Sequence, residues 1–313
     1  MNVIVTGTLG FDHIMDFSGK FADRIMPDKI HKISLAPLVE TFHKQFGGTA
    51  GNIAYTLKLF SVEPLIISAA GNDFAPYQAF IKKHKIPIKY IKEYKDEVTG
   101  TFFVVTDQDD NQIGAFYMGA TKYANQLSLE QVKETIDFVV LAPTQPSAMK
   151  KYVKECQKHK FPYLYDPAFQ IAQFTPEELR EGITGAQMLI GNDYEIALIE
   201  QKLEISHEEL RVMAPVVITT LGSKGSIIET RRESMHVAPA KPKNTSDPTG
   251  AGDAFRAGFI AGYLRGFDLV TCGQMGSTAA VYTVETYGTQ THMFTKKDFV
   301  KRYQENFGVP LRL

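Results

Sequence analysis

The sequence has little of what marks disulfide-rich, metal-binding or strongly charged proteins. Of its 313 residues only Cys156 and Cys272 are cysteine, which is too few for a disulfide framework, and neither has the spacing of a metal ligand. A reducing cytosol is therefore the expected compartment. Lysine plus arginine (34) nearly balance aspartate plus glutamate (35), so we expect neither a nucleic acid nor an anionic membrane as a partner.

Long apolar runs are absent as well. No stretch reaches the ~20 apolar residues that cross a membrane, and glycine and aspartate interrupt the short apolar start, unlike in a signal peptide. The composition is that of a globular protein, with 44% hydrophobic and 22% charged residues. At ~150 residues per domain, the length predicts about two domains.

Short β-rich runs alternate with stretches of helical spacing. The predicted strands are Val3–Val5, Pro64–Ala69, Phe138–Ala142, Pro162–Tyr165, Met188–Gly191 and Val216–Thr219. Predicted helices between them include Gln126–Thr135 and Ala148–Lys158. This alternation, with its continuous apolar strands, predicts an α/β fold in which helices wrap a parallel sheet.

Two segments, residues 12–46 and 98–119, lack this alternation. Within the second, Phe102–Thr106 and Ala115–Tyr117 are predicted strands joined by a polar turn at 107–111. We interpret both segments as a small β-sheet lid inserted into a large α/β domain, and an antiparallel edge of the main sheet is the alternative. The large domain then consists of residues 1–11, 47–97 and 120–313.

The most informative segment is Asp247–Phe255, which reads DPTGAGDAF. Its glycines precede residues at helical spacing, so a glycine-rich loop opens a helix. The N–H groups of Gly250, Ala251 and Gly252 then form an anion site suited to a transferring phosphoryl group. Asp253 follows in the first helical turn, where a carboxylate can take the proton of an attacking hydroxyl. The alternative is that Asp247 or Asp253 only caps the helix.

Two further sites suit a sugar-like ligand. Gly47 and Gly48 precede Asn52 at the predicted start of a helix, so backbone and amide can approach a sugar closely and bind its hydroxyls. Asp12 follows the first strand, at the end of a parallel sheet where ligands bind, and its carboxylate can accept two hydrogen bonds from a diol. An ordinary glycine turn and a turn-forming aspartate are the respective alternatives.

Two loops after later strands suit a nucleotide. Asn192 and Glu195 are neighbours if a helix begins there, and their spacing fits a helix-capping pair as well as a ligand-binding pair. Thr220, Gly222 and Gly225 follow a predicted strand. The loop that they form offers backbone donors and room for a nucleotide, although it lacks the P-loop pattern.

These motifs together resemble those of the ribokinase-type (pfkB) family of sugar and nucleoside kinases. The resemblance rests on Phe46–Ala54, Asn192–Glu195, Thr220–Gly225 and Asp247–Phe255, which occur in the family's order, and on similar segments at 7–17 and 285–290. It covers nearly the whole chain. It implies a ribokinase-like α/β/α core with a β lid, an ATP-dependent kinase and a requirement for Mg²⁺, with K⁺ as a further candidate ion.

The resemblance also implies roles for single residues. Asp253 is implied to be the catalytic base, beside amides of Gly250, Ala251 and Gly252 that hold the transferring phosphate. The implied substrate-binding positions are Thr8, Asp12, Gly47, Gly48 and Asn52, and the implied ATP-binding positions are Asn192, Thr220, Gly222 and Gly225. Glu195 is implied to hold magnesium through water, since magnesium keeps several of its waters.

Within the family, the pattern is similar to bacterial adenosine kinases of the actinobacterial, ribokinase-like kind. In that group two lid phenylalanines, which fall on Phe102 and Phe116, flank the purine, and such stacking contributes ~1–3 kcal/mol per base. A structural role in the lid core is the alternative for this pair. Gln170 is implied to line the same purine-binding pocket. Phe169 and Ala36 stand where the group has a second glutamine and a small hydroxyl residue, and both weigh against strict selectivity for adenosine.

The sequence therefore predicts an adenosine kinase of purine salvage that phosphorylates the 5′-hydroxyl with ATP, giving AMP and ADP. The alternatives are a broad-specificity nucleoside kinase, a ribose- or fructose-type sugar kinase and, in a different class, a catalytically silent nucleoside or sugar sensor on the same fold. The intact Gly-Ala-Gly-Asp motif argues against the sensor, which could lose Asp253 freely. Lid edges in this group often pair between subunits, so we expect a homodimer through the lid strands.

Overall fold

The computed structural model describes residues 1–32, 34–109 and 111–313. Its strands are β1 (Asn2–Thr6), β2 (Gly10–Phe17), β3 (Val39–Gly47), β4 (Glu63–Gly71), β5 (Ile91–Tyr94), β6 (Gly100–Thr106), β7 (Gln112–Tyr117), β8 (Phe138–Leu141), β9 (Tyr163–Tyr165), β10 (Met188–Asn192), β11 (Val216–Thr220), β12 (Ser226–Glu229) and β13 (Ser234–Val237). Its α-helices are α1 (Thr49–Leu59), α2 (Ala75–Lys83), α3 (Pro146–His159), α4 (Pro176–Thr184), α5 (Asp193–Leu203), α6 (His207–Met213), α7 (Ala251–Tyr263), α8 (Leu269–Val284) and α9 (Lys296–Phe307).

A nine-stranded sheet forms the centre of the larger part of the molecule, in the order β13-β12-β11-β10-β9-β8-β1-β4-β5. The strands from β11 to β5 pair in parallel, and β12 and β13 pair antiparallel at one edge. Alternate residues of a strand point to opposite faces. Accordingly, Val3 and Val5 pack into a core with α1, α7 and α8, whereas Ile4 packs into a second core with α3, α4 and α5. The sheet is thus covered on both faces, as the sequence predicts.

A separate four-stranded sheet has the order β3-β2-β6-β7. The predicted hairpin is present as the antiparallel pair β6 and β7, in which Phe102 lies directly opposite Phe116. Asp110, in the predicted turn, lies outside the described residues. The hairpin belongs to this small sheet and not to an edge of the main one, so the predicted second sheet is confirmed. The division of the chain at the predicted domain boundaries stays a prediction.

The helix predicted over Gln126–Thr135 is wrong. The region holds two 3₁₀ turns, Gly119–Gln126 and Leu129–Gln131. The carboxylate of Glu155 on α3 accepts hydrogen bonds from the Leu129 N–H (2.7 Å) and the Ser128 hydroxyl (2.8 Å), so a side chain from another helix occupies a backbone donor of this segment. The second predicted helix, Ala148–Lys158, lies within α3.

None of the helices in the described part of the chain combines the length and the apolar character needed to cross a lipid bilayer.

Candidate active site

The candidate residues gather at the carboxyl ends of the parallel strands. Asp166 directly follows β9, and Asn192 and Thr220 are register partners at the ends of β10 and β11. Ligands of open α/β sheets bind at this edge, because the loops that leave the strands there form a crevice. The small sheet and the loop before α7 lie on the same side, since Asp12 of β2 and Asp247 of that loop line one cavity.

The loop before α7 has the predicted form. Gly250 is the N-cap of α7, with φ of +79° and no capping side chain, and a Cβ at this position would lie 2.9 Å from the Thr289 Cβ. Only glycine fits this backbone without strain. The Ala251 N–H donates to the Pro248 carbonyl at 3.2 Å, so it is already engaged, whereas the N–H groups of Gly250 and Gly252 have no acceptor among the described residues. These two amides are the donors available to an anion.

The two aspartates of the motif have different roles. The Asp247 carboxylate accepts from the N–H groups of Thr249 (2.9 Å) and Gly288 (3.0 Å), and therefore ties the loop to the segment after α8. Asp253 is no helix cap, since the cap is Gly250. The capping alternative is thus wrong for Asp253, whereas Asp247 does have a structural role.

The Asp253 carboxylate lies against two side chains from other parts of the molecule. Asn52 Nδ2 donates to Asp253 Oδ2 at 2.8 Å, and one hydrogen of that amide remains for a ligand. Burial raises the pKa of Asp253, while the positive charge of Arg256 and the hydrogen bond from Asn52 act in the opposite direction. Asn52 was expected from the sequence only as a sugar-binding residue, and its contact with Asp253 is new.

Arg256 and Asp166 complete this part of the site, and neither was predicted from the sequence to have a role there. Arg256 is three residues after Asp253 on α7 and pairs with Asp166, whose carboxylate is buried. Repulsion from Asp166 also contributes to the raised pKa of Glu195, after the larger effect of burial. The sequence did contain one indication of a role for Arg256, since an arginine one helical turn after the predicted base lies on the same face of the helix.

Asp12 lies at the other end of the site, packed on a glycine. A Cβ added at Gly47 would lie 2.0 Å from Asp12 Oδ2, so any larger residue at 47 would displace the carboxylate. Only 8% of Asp12 is exposed. Burial, followed by the negative charges of Asp253 and Asp247, raises the pKa of Asp12 to about 7. Near neutral pH this carboxyl can therefore accept or donate a hydrogen bond.

A cavity of about 500 Å³ lies between the small sheet and the loop before α7. Asp12, Phe102 and Val104 line its small-sheet side, and Asp247 and Thr249 line the other. Its volume is in the range of small-molecule sites, and its lining is partly apolar with a few charged groups. The cavity therefore suits a ligand that has both an apolar part and hydroxyl groups.

The predicted aromatic pair shares one face of the small sheet, and one of its two members lines this cavity. Phe102 and Phe116 are directly opposite in register and so share one face of the small sheet. Phe102 lines the cavity, whereas the Phe116 ring lies 6.5 Å from that of Phe169, a residue the sequence singled out only as a departure. Gln170, next to Phe169, is buried. Of the predicted pair, Phe102 thus lines the cavity, and Phe116 lies near Phe169.

Four other predicted positions have partners within the protein. The hydroxyl of Thr8 accepts from the Thr49 N–H at 3.2 Å, so it holds the start of α1. Asn192 and Glu195 form the capping box that the sequence allowed as an alternative, with both hydrogen bonds at 2.8 Å. The Thr220 hydroxyl donates to the Gly191 carbonyl at 3.4 Å. Gly222 and Gly225 flank the exposed loop after β11.

Glu195 can also serve a hydrated cation. Its Oε2 accepts from the Asn192 N–H, and its Oε1 has no hydrogen-bond donor among the described residues. Across those residues no group of three or more histidine, cysteine, aspartate or glutamate side chains is arranged to hold a metal ion. This donor set fits Mg²⁺ held mainly by phosphate and water, with one carboxylate nearby.

Comparison with known proteins gives consistent matches over the whole chain. The sequence matches the pfkB family of carbohydrate kinases over residues 13–296. It is 31% identical over 312 residues to a nucleoside kinase of Methanothermobacter thermautotrophicus, covering 98% of this chain and 97% of that protein. The fold is similar to Burkholderia thailandensis nucleoside kinase in complex with inosine, with a TM-score of 0.92, 29% identity, and coverage of 98% and 99%. For the ADP-inosine complex of that kinase, the TM-score is 0.90, with 30% identity and coverage of 99% and 97%.

Proposed function

Because the chain belongs to the pfkB family and is a phosphotransferase with an alcohol acceptor, we propose that it is a broad-specificity nucleoside kinase that uses ATP. The observation that carries this proposal is the cavity in which the Asp12 carboxyl lies beside the apolar side chains of Phe102 and Val104. A nucleoside presents hydroxyls on its ribose and the flat apolar faces of its base, whereas a free sugar has no base to stack on Phe102. The relatives named above favour this alternative over the adenosine-specific interpretation.

The proposed reaction is an in-line transfer. The substrate 5′-hydroxyl oxygen forms a bond to the γ-phosphorus of ATP, the bond from that phosphorus to the bridging oxygen breaks, and ADP leaves. Asp253 accepts the hydroxyl proton, and the N–H groups of Gly250 and Gly252 donate to the transferring phosphoryl oxygens. Glu195 would hold Mg²⁺ through water, and the ion, when bound, would neutralise charge on the nucleotide phosphates.

The substrate is proposed to lie with its ribose between Asp12 and Asn52. Asp12 accepts hydrogen bonds from the diol, and Gly47 and Gly48 allow close approach of the sugar. The base is proposed to contact Phe102, Phe116 and Gln170. Phe169 adds an apolar ring where strict adenosine selectivity was expected to need a glutamine, which supports acceptance of more than one base.

The nucleotide is proposed to follow the carboxyl ends of β10 and β11. Asn192, Thr220, Gly222 and Gly225 lie along this path. A role for K⁺ stays a prediction of the resemblance.

A homodimer through the small sheet and a cytosolic location also stay predictions. The edge strand β7 is exposed along its whole length, which supports the first. Both cysteines are buried free thiols, which supports the second.

An ADP-release assay with adenosine, inosine, cytidine, ribose and fructose tests the proposal. We expect similar kcat/KM values for several nucleosides and much lower values for both sugars. A clear preference for ribose or fructose would contradict it. Asp253→Asn is the matched control, since it keeps the shape of the site but should lower turnover by ~10²–10⁴.

A further inference from the structure

A buried chain of hydrogen bonds leads from the backbone of β3 to the candidate base. The Tyr77 hydroxyl donates to the Gly47 carbonyl at 2.8 Å. Gln290 Nε2 lies 2.5 Å from Tyr77 Oη and 2.8 Å from Asn52 Oδ1. Asn52 Nδ2 lies 2.8 Å from Asp253 Oδ2. Tyr77, Gln290 and Asn52 are all buried, so water does not compete freely for these groups.

The direction of every bond in this chain follows from its first member. The Tyr77 hydroxyl has one hydrogen and uses it on a carbonyl, so its oxygen must accept from Gln290. Gln290 therefore presents its NH₂ group, and the second hydrogen of that group is donated to Asn52 Oδ1. Because its oxygen is the acceptor, Asn52 must turn its own NH₂ group to Asp253.

We infer that Gln290 is a positioning residue. It fixes the amide of Asn52 as a hydrogen-bond donor to Asp253, and this bond keeps the Asp253 carboxylate oriented as a proton acceptor. This inference rests on the proposed function, in which Asp253 is the base. If Gln290 did not fix it, Asn52 could rotate and present its oxygen to the carboxylate. Two acceptors would then face each other, and protonation of Asp253 would relieve the conflict.

The charged groups around Asp253 remain the same when Gln290 is replaced by methionine. Arg256 on the same helix favours the ionised form. Asp12 on β2 and Asp166 after β9 carry like charges, and each has its own pKa raised partly by Asp253. Tyr77 on α2 faces the same group of carboxylates. Gln290→Met therefore isolates the contribution of the Asn52 amide, whereas Gln290→Glu adds a negative charge near Asp253 to that effect.

The test is the pH dependence of kcat for Gln290→Met and Gln290→Glu, measured with saturating nucleoside and ATP between about pH 5 and pH 9. Both variants remove the fixed donor to Asn52. We expect the acidic limb of the profile to move upward by about one pH unit, with kcat lower by up to about tenfold on that limb and largely recovered at high pH. The KM for nucleoside should change little. Gln131→Glu, an exposed glutamine, is the control for the charge change.

Thermal unfolding in the same buffers shows whether the variants are folded, and Tyr77→Phe provides a second perturbation of the chain. Loss of the tyrosine hydroxyl frees the other hydrogen of Gln290, so we expect a smaller upward shift of the same limb. The inference would be overturned if the Gln290 variants are folded and have a lower kcat at every pH, with the acidic limb of the pH profile at the same position as in the parent. If instead Asp253→Asn keeps normal turnover, the proposed base fails, whatever the Gln290 variants do.

Discussion

Arg256 and Asp166 form a buried ion pair in the candidate site. Arg256 Nη2 donates to Asp166 Oδ1 at 3.0 Å, and Arg256 Nε lies 2.6 Å from Asp166 Oδ2. The exposed fractions of the two side chains are 11% and 1%. A Cβ added at Gly252 would lie 2.8 Å from Arg256 Nη1, so the remaining guanidinium nitrogen lies beside the start of α7. Asp166 thus holds a positive charge beside the position proposed for the transferring phosphoryl group.

Arg256→Met should lower both stability and turnover. Removing one partner of a buried ion pair costs about 3–5 kcal/mol, because the other charge is left uncompensated. The double variant Asp166→Asn with Arg256→Met removes both charges and should recover much of that stability, as measured by denaturant unfolding. Turnover should stay low in the double variant, because the positive charge is still missing. Recovery of turnover together with stability would mean that the pair is only structural.

Asp12→Asn should stabilise the protein at alkaline pH. The pKa of Asp12 is raised from 3.8 to about 7 in the folded state, so its contribution to stability is fully present below pH 3.8 and is lost as the pH rises through about 7. Each unit of this pKa shift corresponds to about 1.4 kcal/mol in the free energy of unfolding. Asparagine carries no charge at any of these pH values, so the advantage of the variant should grow between about pH 4 and pH 7.

Unfolding free energies at several pH values check this expectation. Asp193→Asn, an exposed position on α5, controls for the removal of a negative charge. An Asp12→Asn variant whose stability relative to the parent does not depend on pH would contradict the raised pKa. The same variant should bind nucleoside less tightly, since the diol loses a charged acceptor, and a loss of this kind is roughly 1.5–3 kcal/mol.

Phe116→Ala should raise the KM for adenosine by roughly tenfold or more, consistent with ~1–3 kcal/mol of lost stacking. Slow turnover of free ribose should hardly change, because ribose has no base. Phe103→Ala is a matched control: Phe103 is 40% exposed against 41% for Phe116, and it lies on the opposite face of the small sheet, next to His13. Equal effects of Phe116→Ala on adenosine and ribose would mean that Phe116 only supports the sheet.

Local sequence pattern was sufficient for the elements that position the site. Apolar runs located the strands β1, β4 and β8–β11, and the glycine motif located the start of α7. The family membership implied by the four motifs is confirmed. The hairpin was also predictable, because two β-rich runs flank a polar turn, and its register brings Phe102 opposite Phe116.

Contacts between distant parts of the chain were not predictable in the same way. Gln290 and Asn52 are 238 residues apart, and periodicity carries no information about which buried amides meet after folding. The prediction of a helix over Gln126–Thr135 was wrong for a related reason. The helical spacing is a local property, whereas Glu155 on another helix binds the backbone of this segment. The engagement of Ala251 by Pro248 likewise depends on the exact course of the loop.

Asp12 and Asp253 belong to different parts of the fold, Asp12 to the small sheet and Asp253 to α7, and the charge of Asp253 helps to raise the pKa of Asp12. Any approach of the small sheet to α7 would bring these two carboxyl groups closer together, and their repulsion would oppose it when no acceptor lies between them. An acceptor with several hydroxyls satisfies both groups at once, whereas a single water molecule does not. The arrangement should thus limit wasteful hydrolysis of ATP, and Asp12→Asn is expected to release more phosphate than the parent when no acceptor is present.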